Sequence, residues 1–196
     1  VYEKALQSNL LNKVIVAVDS EETKNVINCQ NIIMTSDKHQ SGTDRVAEVA
    51  NNFNCDIVVN IQGDEPGIDP LLIDKLIQLF EDPDVEMASI ASTDLKEDDL
   101  NNDNVVKVNL DEENNAISFI RNNLNPESTY YRHIGIYAYR KNTLNLFTSL
   151  TQSDNEKNHR LEQLRALDNN IAIKLLISDF CHRSIDVKED LKNYEN

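Results

Sequence analysis

The chain has 196 residues, with 19 Lys and Arg against 34 Asp and Glu, a formal charge of −15 that works against nucleic-acid or anionic-membrane binding. At 40% hydrophobic residues it is no disordered polyelectrolyte, and its length suits one domain with a real core. No apolar run approaches the about 20 residues of a spanning helix, and Val1-Tyr2-Glu3-Lys4 lacks a signal peptide's layout, so the expectation is a soluble protein.

Residues 1–10 read as the end of a helix that leads into a strand at 13–18. Nothing before it supplies a first strand, there is no initiator Met, and a βαβ unit takes roughly 30 residues. The expectation is therefore a domain over 1–196 that lacks its first strand. Further strands are expected at 31–34 and 56–62, and helices at 21–28 and 43–54. The second helix sets Val46, Val49, Ala50 and Phe53 on one face. After Pro70 a helix at 71–80 carries another apolar stripe. Residues 105–110 and 116–120 flank the polar turn 111–115 as a hairpin does. A strand at 134–139, helices at 141–150 and 157–168, a strand at 171–177 and a last helix from Lys188 complete the reading. The alternation predicts an α/β fold, a single domain with a mixed, largely parallel sheet flanked by helices and a hairpin extension in its second half. The acidic stretch 94–103 is read as a solvated connection.

Cys29, Cys55 and Cys181 form no CxxC pair and suit a reducing compartment, and the four histidines have no zinc-ligand spacing. The many asparagines form no low-complexity tract and receive no functional weight. Only Gly42, Gly63, Gly67 and Gly135 occur, fewer than the ordinary usage of about 7%, so each is expected where backbone turns sharply or approaches a ligand.

Three segments around these glycines carry the candidate chemistry. VVNIQGDEP runs an apolar strand into a glycine and two carboxylates; in open α/β sheets ligands bind at the carboxyl ends of strands, and a carboxylate there suits Mg²⁺. The same residues are also ordinary turn formers, and the residues by themselves leave the two readings even. DKHQSGTDR closes a strand and opens a helix, whose free N–H groups suit phosphates or base edges, or else Ser41 or Thr43 is simply a cap. Neither a GxGxxG fingerprint nor a Walker loop is present. YYRHIGIYAYR alternates along a strand and places His133, Gly135, Tyr137 and Tyr139 on one face, as a sugar pocket or as aromatic packing.

In this order, the blocks MTSDKHQSGTDRVAEV, VVNIQGDEP, NVVKVNLD, RHIGIYAYR and LEQLRAL resemble the 3-deoxy-manno-octulosonate cytidylyltransferases, collinearly across the whole chain. The resemblance implies a nucleotide-diphosphosugar transferase-like fold and Mg²⁺-dependent transfer of CMP from CTP to the sugar acid Kdo, with pyrophosphate released, for lipopolysaccharide synthesis. The sugar hydroxyl attacks the α-phosphorus, and the protein's part is positioning and charge neutralisation. The family's magnesium aspartates correspond to Asp64 and Asp186, which are also the catalytic candidates. Gln62, Arg121, His133, Tyr137, Glu162 and Gln163 match the sugar-acid side, with Arg121 suited to a carboxylate. His39, Gln40, Ser41, Gly42, Thr43 and Arg45 match the nucleotide side. The family's IPAR-type phosphate loop is not in the chain, which implies low activity for these 196 residues alone. A cytoplasmic homodimer is expected by the same resemblance. The competing readings are a cytidylyltransferase for another acidic sugar and a non-catalytic nucleotide-binding fragment.

Overall fold

Short β-branched runs cannot stand alone, and each amphipathic helix needs a sheet to cover its apolar face. A computed structural model describes residues 1–180 and 184–185 and shows how the chain meets both demands. The first half alternates α1 (Tyr2–Ala5), β1 (Val16–Val18), α2 (Glu21–Val26), β2 (Ile32–Met34), α3 (Gly42–Ala50), β3 (Ile57–Asn60) and α4 (Pro70–Gln78), the last continuing as a 3₁₀ turn at Leu79–Glu81. Side-chain caps fix where the helices start. Ser20 accepts from the Thr23 amide, Ser41 from the Asp44 amide, and Asp69 from the Leu71 amide ahead of Pro70.

The second half runs β4 (Met87–Ser92), α5 (Glu97–Leu100), β5 (Lys107–Leu110), β6 (Ala116–Ile120), β7 (Tyr131–Arg140), α6 (Lys141–Ser149), α7 (Asp154–His159), α8 (Leu164–Asp168) and β8 (Ile173–Ser178). Strand β4 was absent from the sequence reading because Met-Ala-Ser-Ile-Ala-Ser has little β-branched content; its six residues are all buried, and burial rather than propensity makes it a strand. The hairpin appears as expected, with β6 on β5. The last helix expected from Lys188 lies outside the described residues.

The sheet is mixed, but its balance differs from the expected largely parallel one. β1 and β2 pair in parallel as a two-stranded unit, and β4 pairs in parallel with β8. The remaining pairs, β3–β7, β4–β7, β5–β6 and β5–β7, are antiparallel. The hairpin itself makes β5–β6 antiparallel, and the other three pairs follow from β7, a ten-residue strand that runs against the direction of all three of its neighbours. Alternation in sequence reports which face a residue takes and says nothing of strand direction.

Faces of β4 and β7 sort the core. Ala88, Ile90, Ile134, Ile136 and Ala138 pack with Leu72, Ile73 and Leu76 of α4 on one side. Met87, Ala91, Tyr137 and Tyr139 pack on the other with Ala47 and Ala50 of α3, Leu144 and Phe147 of α6, and Leu164 of α8. Helix α3 packs against both β1 and β3, which joins the two-stranded unit to the main sheet.

One feature of β7 positions the site. Along one edge its C-terminal half pairs with β3, with Asn60 opposite Tyr137, while Tyr131 and Arg132 pair with β5. The His133 amide still bonds the carbonyl of Val106 just before β5, and beyond it Gly135 lies beside the turn that follows β3. There the Glu65 carboxylate comes so close to Gly135 that a β-carbon on the glycine would lie 3.8 Å from Glu65 Oε1. Asp64 precedes Glu65 in that turn.

Candidate active site

Strand β3 ends at Asn60, and the chain turns through Gly63 and Asp64, leaving Gln62 exposed and Asp64 half-buried. The Asp64 carbonyl accepts from the amide of Ile185 at 2.9 Å, which ties the segment just before Asp186 to this turn. Asp186 itself lies outside the described residues. Among the described residues no group of three or more His, Cys, Asp and Glu side chains gathers as a metal cluster. The acidic stretch 94–103 instead holds α5, an ion pair from Arg132 to Asp99 at 3.1 Å, and backbone carbonyls that bind Arg121.

Of the sugar-acid candidates, His133 and Tyr137 pack side by side on β7, whereas Gln62 is exposed and the Arg121 side chain bonds the carbonyls of Asp103 and Asn104. His133 accepts or donates through Nε2 to Ser89 Oγ at 2.9 Å, and Ser89 also reaches the carbonyls of Ile134 and Ile136. The imidazole meets Phe119 edge-on at 4.9 Å and Tyr137 at 5.5 Å, and the series continues to Tyr139 and Phe147. Burial pushes the His133 pKa down to about 3, with the nearby positive charge of Arg121 acting in the same direction, so the ring is neutral at ordinary pH. Burial also raises both tyrosines, Tyr137 and Tyr139, with Glu162 contributing. These phenols stay protonated and serve as hydrogen-bonding and packing groups.

The remaining sugar-acid candidates are Glu162 and Gln163. A single helix over 157–168 was expected; the structure breaks it because Arg160 adopts a left-handed conformation at φ 53° and closes α7. The break lets Arg165 of α8 fold back on Glu156 of α7, whose two carboxylate oxygens accept at 2.8 and 2.5 Å. It also places Glu162 and Gln163 in the connecting turn. Glu162 Oε2 accepts from Thr43 Oγ1 at 2.6 Å, and Asn60 Nδ2 lies 3.3 Å from the same hydroxyl. Glu162 Oε1 is buried, makes no hydrogen bond, and sits 3.7 Å from Arg165 Nη2. Gln163 is buried beside it at the start of α8.

The nucleotide-side candidates have a different character. His39 bonds Glu48 through Nε2, and the Glu48 carboxyl lies below its usual range because of that bond and one from the Ser36 amide. Arg45 pairs with Asp19 at 2.6 Å. Ser41 serves as the N-cap of α3, Gly42 begins that helix and Gln40 is exposed. Thr43 was grouped with this loop, yet its buried hydroxyl points the other way, to Glu162 and Asn60. Lys38, His39 and Gln40 border a cleft of about 620 Å³ whose far side includes Thr148, Gln152 and Lys157.

Sequence reasoning missed Asn60, Ser89 and Asp19, which bond the candidates Thr43, His133 and Arg45, and Glu156, which holds Arg165 next to Glu162 and Gln163. Only Asn60 had a local signal, a polar residue at the end of an apolar strand. Gly63 and Gly67 do lie in turns, as expected of glycines here, but without a left-handed backbone. No glycine has positive φ, and the left-handed positions go to Asn114, Asn123, Arg160 and Asn170. Nothing lies within 4 Å of a β-carbon built on Gly42 or Gly63, so what these two glycines offer is open space beside the site.

Residues 1–175 match the family described as cytidylyltransferase. A 3-deoxy-manno-octulosonate cytidylyltransferase of Koribacter versatilis (strain Ellin345) is 38% identical over 203 residues, covering 100% of this chain and 77% of that protein. The chain belongs to the cytidylyltransferase family. Another 3-deoxy-manno-octulosonate cytidylyltransferase, of Chloroherpeton thalassium (strain ATCC 35110 / GB-78), is 38% identical over 97% of this chain and 82% of its own length. Among solved structures, a CMP:2-keto-3-deoxy-manno-octonic acid synthetase complexed with CTP superposes with a TM-score of 0.91 at 31% identity, over 98% of this chain and 83% of that one. This cytidylyltransferase is a nucleotidyltransferase by family, and its mixed α/β sheet is the family's fold. Among the described residues no helix is long and apolar enough to cross a membrane.

Proposed function

We propose that this cytidylyltransferase transfers CMP from CTP to Kdo and releases pyrophosphate, as the names of its relatives suggest. The observation that carries the sugar-acid reading is that His133 meets Tyr137 at 5.5 Å, with the charge of Arg121 acting on the imidazole and that of Glu162 on the phenol. Arg121 offers a guanidinium fork to a carboxylate. Glu162 Oε1, a buried acceptor without a hydrogen bond, suits a sugar hydroxyl, since leaving such an oxygen unsatisfied is costly. A protonated His133 would repel Arg121; burial keeps it neutral and able to accept.

The turn after β3 fits a magnesium ion by its chemistry: Asp64 is a hard oxygen donor at the end of a strand, and Ile185 brings the chain to it one residue before Asp186. When bound, the ion supplies positive charge to the triphosphate. The protein's own share is orientation. Arg121 and Glu162 hold the sugar acid at two ends, while the loop at 39–45 and the cleft beside it receive the nucleotide.

Pyrophosphate release by the full-length protein with CTP, Mg²⁺ and Kdo tests this directly, with an amino analogue of Kdo and a sialic acid as competitors. Release preferring Kdo is expected. Preference for a competitor replaces the sugar, and CTP binding without release from any sugar acid removes the catalytic reading.

A further inference from the structure

Lys107 has no part in the chemistry above, yet it is completely buried on β5. Its ammonium donates to the carbonyl of Asn102 at 2.8 Å and to the carbonyl of Arg121 at 2.5 Å. Burial pulls its pKa down, opposed by Asp103 and Asp99. A buried ammonium is costly, and a hydrophobic residue at this register would pack into the sheet without that cost. What the lysine adds is a tie between two segments that have no ladder in common: the loop at 102–104 and the end of β6. Arg121 closes the same tie from its side chain, with Nη1 donating to the carbonyls of Asp103 at 2.8 Å and Asn104 at 3.4 Å. The backbone and one nitrogen of Arg121 are thus held against a single loop, and the rest of its fork is left for a ligand.

We propose that Lys107 is a positioning residue that fixes the Arg121 guanidinium for the carboxylate of the sugar acid, through the Arg121 carbonyl and the 102–104 loop. The inference rests on the reading of Arg121 as the carboxylate receptor. Losing a charged donor at this point lets the end of β6 drift, and a displacement near 1 Å spoils a bidentate contact. The side-chain bonds of His39, Thr43 and Arg45 run to Glu48, Glu162, Asn60 and Asp19, none of them in either segment, so the loss is expected to fall on one substrate.

Steady-state pyrophosphate release by the full-length protein, with KM measured separately for Kdo and CTP, tests this in Lys107→Met, Lys107→Arg, Arg121→Ala and the double variant Lys107→Met/Arg121→Ala. Lys107→Met is expected to raise the Kdo KM roughly tenfold and leave the CTP KM within about twofold. Lys107→Arg keeps the charge in a different donor geometry and gives a smaller rise, again for Kdo alone. The double variant is no worse for Kdo than Arg121→Ala. Equal changes in both KM values, no change in either, or full additivity in the double variant overturn the inference. If Lys107→Met fails to fold, Lys107→Arg decides by the same split between substrates. An unchanged Kdo KM in Arg121→Ala instead overturns the receptor role of Arg121, and the two failures are told apart by that variant.

Discussion

The two flanks of the Asp64 turn handle charge in opposite ways. On the nucleotide side His39 is matched by Glu48 and Arg45 by Asp19, in pairs that solvent reaches. On the proposed sugar side Tyr137 and Tyr139 are buried and His133 is half-buried against Phe119 and Tyr137, all three are held neutral, and Glu162 keeps one buried oxygen without a hydrogen bond. An exposed pair is screened and exchanges partners at little cost, which suits a mobile polyanionic ligand in a protein of net charge −15. A largely buried cluster is rigid and discriminates by shape and hydrogen bonding, because any partner that fails to satisfy it leaves a polar group unpaired. Under the proposed assignment, one flank handles charge and the other selects by shape and hydrogen bonding.

The strongest way to test that division is to remove the turn between them. Asp64→Asn is expected to lower turnover by about 10³-fold or more, the several kcal/mol of transition-state stabilisation a metal site contributes, with the circular dichroism spectrum unchanged. Next comes the ion pair that braces the sugar flank from behind. Glu156→Gln leaves Arg165 buried and half-partnered, and urea unfolding is expected to show a loss of about 3–5 kcal/mol. Thr43→Ala cuts the link between Asn60 and Glu162; a loss of about 1–3 kcal/mol is expected in the same measurement, with a Kdo KM raised more than the CTP KM.

The pH response distinguishes the flanks more finely. The folded pKa of His133 is depressed to about 3 from an ordinary 6.5, so between these values the unfolded chain binds the extra proton and folding stability falls as pH drops. His133→Asn is expected to remove from the stability profile a slope of at most about 1.4 kcal/mol per pH unit below pH 6.5. The smallest effect belongs to the exposed side. Asp19→Asn is expected to leave the melting temperature unchanged and to alter only the salt dependence of the CTP KM, by releasing Arg45. A large stability loss there, or none in Thr43→Ala, reverses the contrast between a solvated and a largely buried flank.

Much of this was legible in residues near one another. The stripe of α4, the hairpin around the turn at 111–115 and the alternation of β7 all follow from local periodicity and turn chemistry, and the last sets His133 and Tyr137 on one face, whereas the choice of Ser41 over Thr43 as the cap of α3 does not. The missed strand β4 shows the limit, since Ala and Ser become a strand only when neighbours bury them on both faces. The asparagines show another. They received no weight, yet Asn114, Asn123 and Asn170 take left-handed backbone positions, which no glycine does.

By itself the sequence determined the α/β class, the candidate residues and the family-like order of its motifs, because these depend on spacing along the chain. Only the tertiary structure decided that Thr43 belongs with Glu162, that Arg160 breaks a helix to free that glutamate, and that Lys107 grips the carbonyl of Arg121. Thr43 and Glu162 lie 119 residues apart but Lys107 and Arg121 only 14, so separation alone is not what hid them. Buried polar groups choose partners by what folding leaves within about 3 Å, and desolvation makes that choice binding.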